Sequence, residues 1–384
     1  MEKGDSTPFA ELPEALVEEM LSKSERIGEE LYSEFKGIQN ARENIRKELQ
    51  NKDILKKDTE AGYPVIPTTC GIDGSYAVER LLATDLAACA AVAIEGLTPP
   101  SEKRHWEKPY HRVFIHPEKH NPDTGTIIRG MMMEMELELA AKAPHDIVFL
   151  DGSLTTPLIY MNQAVNKISE SDETITGKSI VEKFKDFLDS YKTVLESSRT
   201  DKLWVSMPKY TTRRELGEKL YWQSHYDDRA ILTTILSPGE FTSPIPLEQP
   251  QQPWHLRLSS EDTNENNREI KKLRDEVLSA INRIHVIYYK PHNWTPALRI
   301  EMASSIATNN SRIAVLLQGL KYQCGTPGIF EPYPLYIADR IVKHLSRAIP
   351  AFRQTSTRRM AELHQGDIAE IFFSMHGYRT ERER

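Results

Sequence analysis

Residues 67–97 read PTTCGIDGSYAVERLLATDLAACAAVAIEGL, and the fold turns on how they are taken. The segment PTTCGIDGSYAVERL is β-prone, and Asp73-Gly74 is a turn dipeptide, so it predicts a strand, a turn and a second strand. ATDLAACAAVAIEGL is rich in alanine, which favours helix. Next to a hairpin it is expected as a third, buried strand. Strands therefore open the core, and helices alternate with strands afterwards. That order predicts an α/β fold with one mixed central sheet flanked by helices.

Working outward, residues 10–52 carry Leu12, Leu16, Met20, Ile27, Leu31 and Phe35 at intervals of four and seven, with charges between them. This is an amphipathic helical extension. It either packs on its own domain or serves as a dimer or partner contact. Residues 127–143 predict a helix leading into the strand IVFL and Asp151. A charged helix is expected over 173–200, a strand over 202–210, and a basic turn and helix in TTRRELGEKL. A short helix is expected in DDRAILTTIL, a charged helix in REIKKLRDEVLSAINRI, and strands in HVIYYK and ALRIEMA. RIAVLLQGLKYQ and YPLYIADRIVKHLSRAI are expected as helices. Residues 100–125 and 237–268 read as irregular insertions, and the tail RTERER as disordered. The expected division is an N-terminal helical segment 1–60, a main domain 61–355, and a C-terminal helix and tail 356–384.

Asp-Gly-Ser occurs twice, at 73–75 and 151–153, each time after an apolar run. Strand ends are where α/β sheets display ligand-binding and catalytic groups. The helix between the copies carries Glu134, Glu136 and Glu138. Glu134 and Glu138 share a face, and Glu136 points away from it. Asp339 lies in an apolar helix between Ile337 and Ile341, where a carboxylate needs a partner or a metal. Two strand aspartates, a helix glutamate and a late helix aspartate are the donor set for hard divalent cations in phosphodiester hydrolysis. Lys209 stands at a strand end, and with Arg213, Arg214 and Lys219 it could contact phosphates. Arg299 and Glu301 share a strand face and either pair across the sheet or line the site, with the structural role preferred. Tyr288, Tyr289 and Trp294 read as core aromatics, with base stacking as the alternative.

The chain has 384 residues and a formal net charge of −7, which weighs against a protein that coats nucleic acid but not against one with a local basic groove. There is no apolar run long enough to cross a membrane, and MEKGDSTPFAEL does not resemble a secretory signal. Cys70, Cys89 and Cys324 lack metal-ligand spacing, and their odd number argues against a disulfide framework. A reduced, cytoplasmic setting is expected.

In order, GIDGS, IIRGMMMEMELE, IVFLDGSL, WVSMPKYTTRREL, DDRAILTTILSPGE, YYKPHNWTPALRIEM and EPYPLYIADR resemble the motifs of the NurA nucleases, over residues 65–350 or so. The resemblance implies a ribonuclease-H-like domain and a Mn²⁺- or Mg²⁺-dependent DNA nuclease. Such enzymes cut single-stranded DNA and resect ends 5′ to 3′. It also implies a homodimer working with a HerA-type hexameric ATPase translocase, in DNA repair or anti-phage defence. Asp73 and Asp151 match the family's catalytic aspartates. Glu134 is the expected glutamate, with Glu138 the fallback, and Lys209 matches the strand lysine. Asp339 stands where the family often has histidine, and Glu331 where it has tyrosine. An aspartate there would hold the metal by an anionic oxygen. Two other readings stand beside this one. A HerA-type complex could use the chain as a non-catalytic assembly subunit. An actin-like or sugar-kinase-like ATPase would need Gly-rich phosphate loops, and neither Asp-Gly-Ser is followed by the expected Gly/Thr run.

Overall fold

The computed structural model describes residues 9, 12–170, 174–222, 226–257 and 265–376. The elements run in chain order α1 (Glu14–Ser22), α2 (Ser24–Asn51), β1 (Leu55–Lys57), α3 (Asp58–Ala61), β2 (Thr69–Arg80), β3 (Asp85–Glu95), β4 (Tyr110–Glu118) and α4 (Thr124–Lys142). There follow β5 (Ile147–Asp151), α5 (Thr156–Glu170), α6 (Ile175–Glu196), β6 (Leu203–Met207), α7 (Glu215–Lys219), α8 (Asp228–Ile235), β7 (Glu240–Thr242) and β8 (Ile245–Pro246). The chain continues with α9 (Glu265–Ile281), β9 (Ile284–Lys290), β10 (Leu298–Ala303), α10 (Ser304–Ala307), α11 (Asn310–Gln323), α12 (Tyr333–Val342), α13 (Leu345–Leu363) and α14 (Ile368–Ser374).

One ten-stranded sheet organises the chain, in the order β1-β7-β9-β10-β6-β5-β2-β3-β4, with β8 pairing on β9. β2, β3 and β4 form an antiparallel meander. β5 and β6 then add in parallel on the other side of β2. This is the mixed, ribonuclease-H-like arrangement. Period-two alternation sorts the side chains between two layers. Val148 and Leu150 face the larger core under α4, α5 and α6. Ile147 and Phe149 face the second core, with Leu316, Leu320 and Leu335 from α11 and α12.

The alanine-rich segment is the buried strand expected. Its small side chains let α4 pack closely on the sheet, and Ala87, Ala91 and Ala93 are fully buried beneath it. Three expectations are corrected. There is no turn at 73–75: β2 is a single strand through Asp-Gly-Ser, because all of Cys70–Arg80 pairs with β3. The insertion at 100–125 contains β4, paired with β3 from Tyr110 onward. The loop at 237–268 contributes β7, β8 and the start of α9, although residues 258–264 lie outside the described residues. RTERER also lies outside them. The boundaries expected at 60 and 355 do not coincide with breaks in packing. β1 pairs into the sheet, Arg46 of α2 forms an ion pair with Glu240 at 2.7 Å, and α13 runs through residue 355. Cys70, Cys89 and Cys324 are buried free thiols.

Candidate metal centre

Strand register brings the two Asp-Gly-Ser copies together. Ile72 of β2 lies opposite Leu150 of the parallel β5. Asp73 and Asp151 come next on each strand. They therefore stand side by side on one face, about 4.8 Å apart in backbone spacing. Each carboxylate accepts a hydrogen bond from the amide of its following glycine, Gly74 at 2.8 Å and Gly152 at 2.9 Å. The two glycines do different work. Gly152 has φ +76 and turns the chain away from the sheet. Ser153 then donates to Glu301 at 2.7 Å, and the Leu154 amide donates to it at 2.8 Å, which fixes that turn.

Asp339 reaches the pair from α12. A carboxylate oxygen from each of Asp73, Asp151 and Asp339 lies within 4.8 Å of the others. The Lys209 ammonium sits among them, 3.3 Å from Asp151, 3.3 Å from Asp339 and 3.1 Å from Glu331. Lys343 holds the other Asp339 oxygen at 2.6 Å. Glu331 and Asp339 thus share one lysine.

The electrostatics follow from this crowding. Burial and then the charge of Asp151 push the Asp73 carboxyl up to about 8. Burial also raises Glu331. At Asp339 burial works upward but is outweighed by Lys343 and Lys209, and the group falls below the usual range. Burial would lower the Lys209 ammonium, yet Asp151 and Glu331 hold it above its usual value. Three carboxylates gathered this closely disfavour one another's ionisation. A hard divalent cation relieves that penalty and accepts those donors, so the residues fit a Mg²⁺- or Mn²⁺-type ion.

The glutamate expectation is corrected by the geometry of α4. Glu134 points to α6, where the Lys183 ammonium lies 3.3 Å from it. Glu138 pairs with Arg112 at 2.7 Å and with Lys142, which hold it down at about 2. Glu136 lies about 200° around the helix from Glu134, and that direction faces the sheet. It is 6% exposed, and burial and then the charges of Asp73 and Asp151 raise it well above the carboxylate range. A Cβ on Gly74 would collide with the Glu136 carboxylate and lie 2.7 Å from Met132 Cγ. The first Asp-Gly-Ser needs glycine for that approach, not for a turn. Helical phase relative to the sheet was the signal available in the sequence: Met133, Leu137 and Ala140 mark an inward side, but a helix buried on nearly every side hides it.

Of the basic residues, Arg214 turns inward and donates to the Trp222 carbonyl at 2.8 Å. Arg213 pairs with Glu248 at 3.2 Å. Lys209, Arg213, Arg229 and Ser153 line a cavity of about 650 Å³ beside the carboxylates. Arg299 is buried between Glu215 and Glu301, and Arg299 and Glu301 also line that cavity. Tyr288 and Tyr289 are fully buried, whereas Trp294 is 37% exposed and stacks on His292.

A pH dependence follows from Asp73. Its folded value near 8 lies above an unfolded value of about 3.9. The folded, metal-free chain therefore keeps a proton that the unfolded chain has lost. The resulting stabilisation is complete below about pH 4 and is lost as pH rises through about 8. In chelator, the unfolding free energy of the native chain should fall across that window relative to Asp73→Asn, by an amount on the order of a few kcal/mol, and its melting temperature should fall with it. Parallel melting curves of the two proteins would remove Asp73 as the source.

A family profile described as the NurA domain matches residues 67–344. In fold, the chain is similar to a solved structure described as the NurA nuclease from Sulfolobus solfataricus. The TM-score is 0.52 at 16% identity, over 88% of this chain and 99% of that one. A structure described as NurA with manganese is similar at TM-score 0.52 and 14% identity, over 90% of this chain and 99% of that one. No curated relative matches the chain.

Proposed function

The chain belongs to the NurA family, and from that premise we propose that it is a metal-dependent deoxyribonuclease. The observation that carries this reading is the convergence of Asp73, Asp151 and Asp339 within 4.8 Å at the edge of the sheet. Asp73 and Asp151 would hold the cation from β2 and β5, Asp339 would hold it from α12, and Glu136 would stand as the fourth carboxylate in place of Glu134. When bound, Mn²⁺ or Mg²⁺ supplies Lewis-acid charge at the phosphate and lowers the pKa of the attacking water. Lys209 neutralises part of the carboxylate charge and is placed to contact a non-bridging phosphate oxygen. Arg213, on the wall of the adjoining cavity, contacts the DNA backbone. Arg214 supports that loop rather than meeting DNA.

The substrate reading is single-strand cleavage and 5′ to 3′ end resection, in repair or defence. Leu16, Met20, Ile27, Leu31 and Phe35 on α1 and α2 are each 44–56% exposed. Only Ile38 and Leu49 of α2 are buried. That open apolar stripe supports a homodimer or docking to a HerA-type hexameric ATPase. Among the described residues no helix is long and apolar enough to cross a membrane.

Labelled linear DNA mixed with the purified chain should be cut in Mn²⁺ and left intact in chelator. No cutting, with or without a HerA-type ATPase, overturns the nuclease and leaves the assembly-subunit reading. Within a working nuclease, Glu136→Gln should slow cleavage by about 100-fold and Glu134→Gln by no more than about threefold. The reverse ranking would return the role to Glu134.

A further inference from the structure

The two helices that follow the metal centre have a charge pattern unlike the rest of the chain. Residues 340–361 contain Arg340, Lys343, Arg347, Arg353, Arg358 and Arg359 and no acidic residue, in a chain of net charge −7. Lys343 and His344, between α12 and α13, keep near-helical backbone angles, so the two helices continue one path. Arg340, Arg347 and Arg358 are separated by seven and eleven residues, close to two and three turns. They share a face, with Lys343 beside it. All four are exposed. The opposite face is packed: Val342 meets Val92 and Ile94 of β3, and Ile349 meets Leu81, Leu86 and Ala88. Among the described residues neither Arg340 nor Arg347 forms an ion pair with an acid; Arg340 donates to the Tyr336 hydroxyl at 3.2 Å, and Arg358 pairs with Glu362 at 3.4 Å, a solvent-exposed contact that a phosphate would displace. Asp339 immediately precedes this face, so the stripe begins at the metal centre.

We propose that the outward face of α12 and α13, carried by Arg340, Arg347 and Arg358, binds the phosphate backbone of a single DNA strand and leads it to the metal centre. The inference rests on the nuclease reading. From residue 340 to 358 a helix rises about 27 Å, the length of about eight stacked nucleotides. Planar guanidinium groups on one line suit phosphate oxygens by bidentate contact. An acidic protein surface is the other occupant such a stripe could take, and the test separates the two.

The experiment measures binding of a fluorescent oligothymidylate of about 20 nucleotides in chelator, by anisotropy across a salt series. The variant is Arg340→Gln/Arg347→Gln/Arg358→Gln. Lys343 is left in place because it holds Asp339. Glutamine keeps the helix, and a melting curve confirms the fold. The expected result is a Kd raised about tenfold or more and a salt slope reduced by about 2, from three contacts of about 0.7 each. In cleavage, KM should rise while kcat at saturation stays. An unchanged Kd and salt slope in the variant overturns the proposal, as does the absence of oligothymidylate binding by the native chain. Polyglutamate of equal charge displacing the native chain's DNA as well as oligothymidylate does would overturn the assignment to DNA. If the stripe binds DNA but the native chain never cuts it in Mn²⁺, the nuclease reading fails and the surface stands.

Discussion

Asp73→Asn and Asp151→Asn should each reduce metal-dependent DNA cleavage by about 1000-fold, or about 4 kcal/mol of barrier, without unfolding the chain. Asparagine has nearly the shape of aspartate. Its side-chain oxygen can still accept the bonds now given by the Gly74 and Gly152 amides at 2.8 and 2.9 Å. What it lacks is the anionic oxygen on a face shared by three carboxylates. In the native chain burial, and then the charge of Asp151, disfavour an ionised Asp73. The metal-free variants should therefore melt no lower than the native chain near neutral pH. The double variant should be little slower than either single one, because residues that hold one ion act as a unit. Single-turnover cleavage of end-labelled DNA, beside circular dichroism, measures both sides. Rates within about tenfold of native for both single variants would remove these aspartates from the chemistry.

Gly71→Ala should be the most damaging small substitution near the site. A Cβ on Gly71 would lie 2.5 Å from the Leu335 nitrogen, 2.5 Å from the Pro334 carbonyl carbon and 2.8 Å from its oxygen. These are backbone atoms at the start of α12, so no side-chain rotation relieves the contact. Either β2 or α12 must move, and overpacking of this kind costs about 1–3 kcal/mol or more. Because α12 carries Asp339, the shift also opens the carboxylate cluster. A displacement of about 1 Å at a catalytic group can cost about 100-fold in rate. Chemical denaturation and cleavage should therefore both suffer. Gly28→Ala is the matched control: nothing lies within 4 Å of a Cβ there. Inside α2, one turn from its start, the change should stabilise by about 0.5–1 kcal/mol. Equal stability of Gly71→Ala and the native chain would show that α12 seats less tightly on β2.

The strands that carry Asp73 and Asp151 were legible because buried strands leave continuous apolar runs, and each aspartate ends or interrupts one. Their adjacency was not, since pairing of β2 with β5 depends on register across the intervening β3, β4 and α4. The strand-turn-strand reading at Asp-Gly-Ser failed for a physical reason. Local turn chemistry gave way to eleven consecutive pairs with β3, running from Cys70 to Arg80. The choice of glutamate failed at helical phase. Glu134 and Glu138 share a face, but it is the face that meets Lys183, Arg112 and Lys142 rather than the sheet. Asp339 was legible from its apolar neighbours, Ile337 and Ile341. The union of Lys209 with Glu331 and Asp339 joins a strand end, a loop and a helix, and no spacing rule connects them.

The claim beneath all of this is that one cluster of carboxylates is a divalent-cation site. Calorimetric titration of Mn²⁺ into the native chain and into Asp151→Asn tests it most directly. Saturable binding by the native chain that is lost in the variant is the predicted result. No binding by the native chain, or equal binding by both, would contradict it.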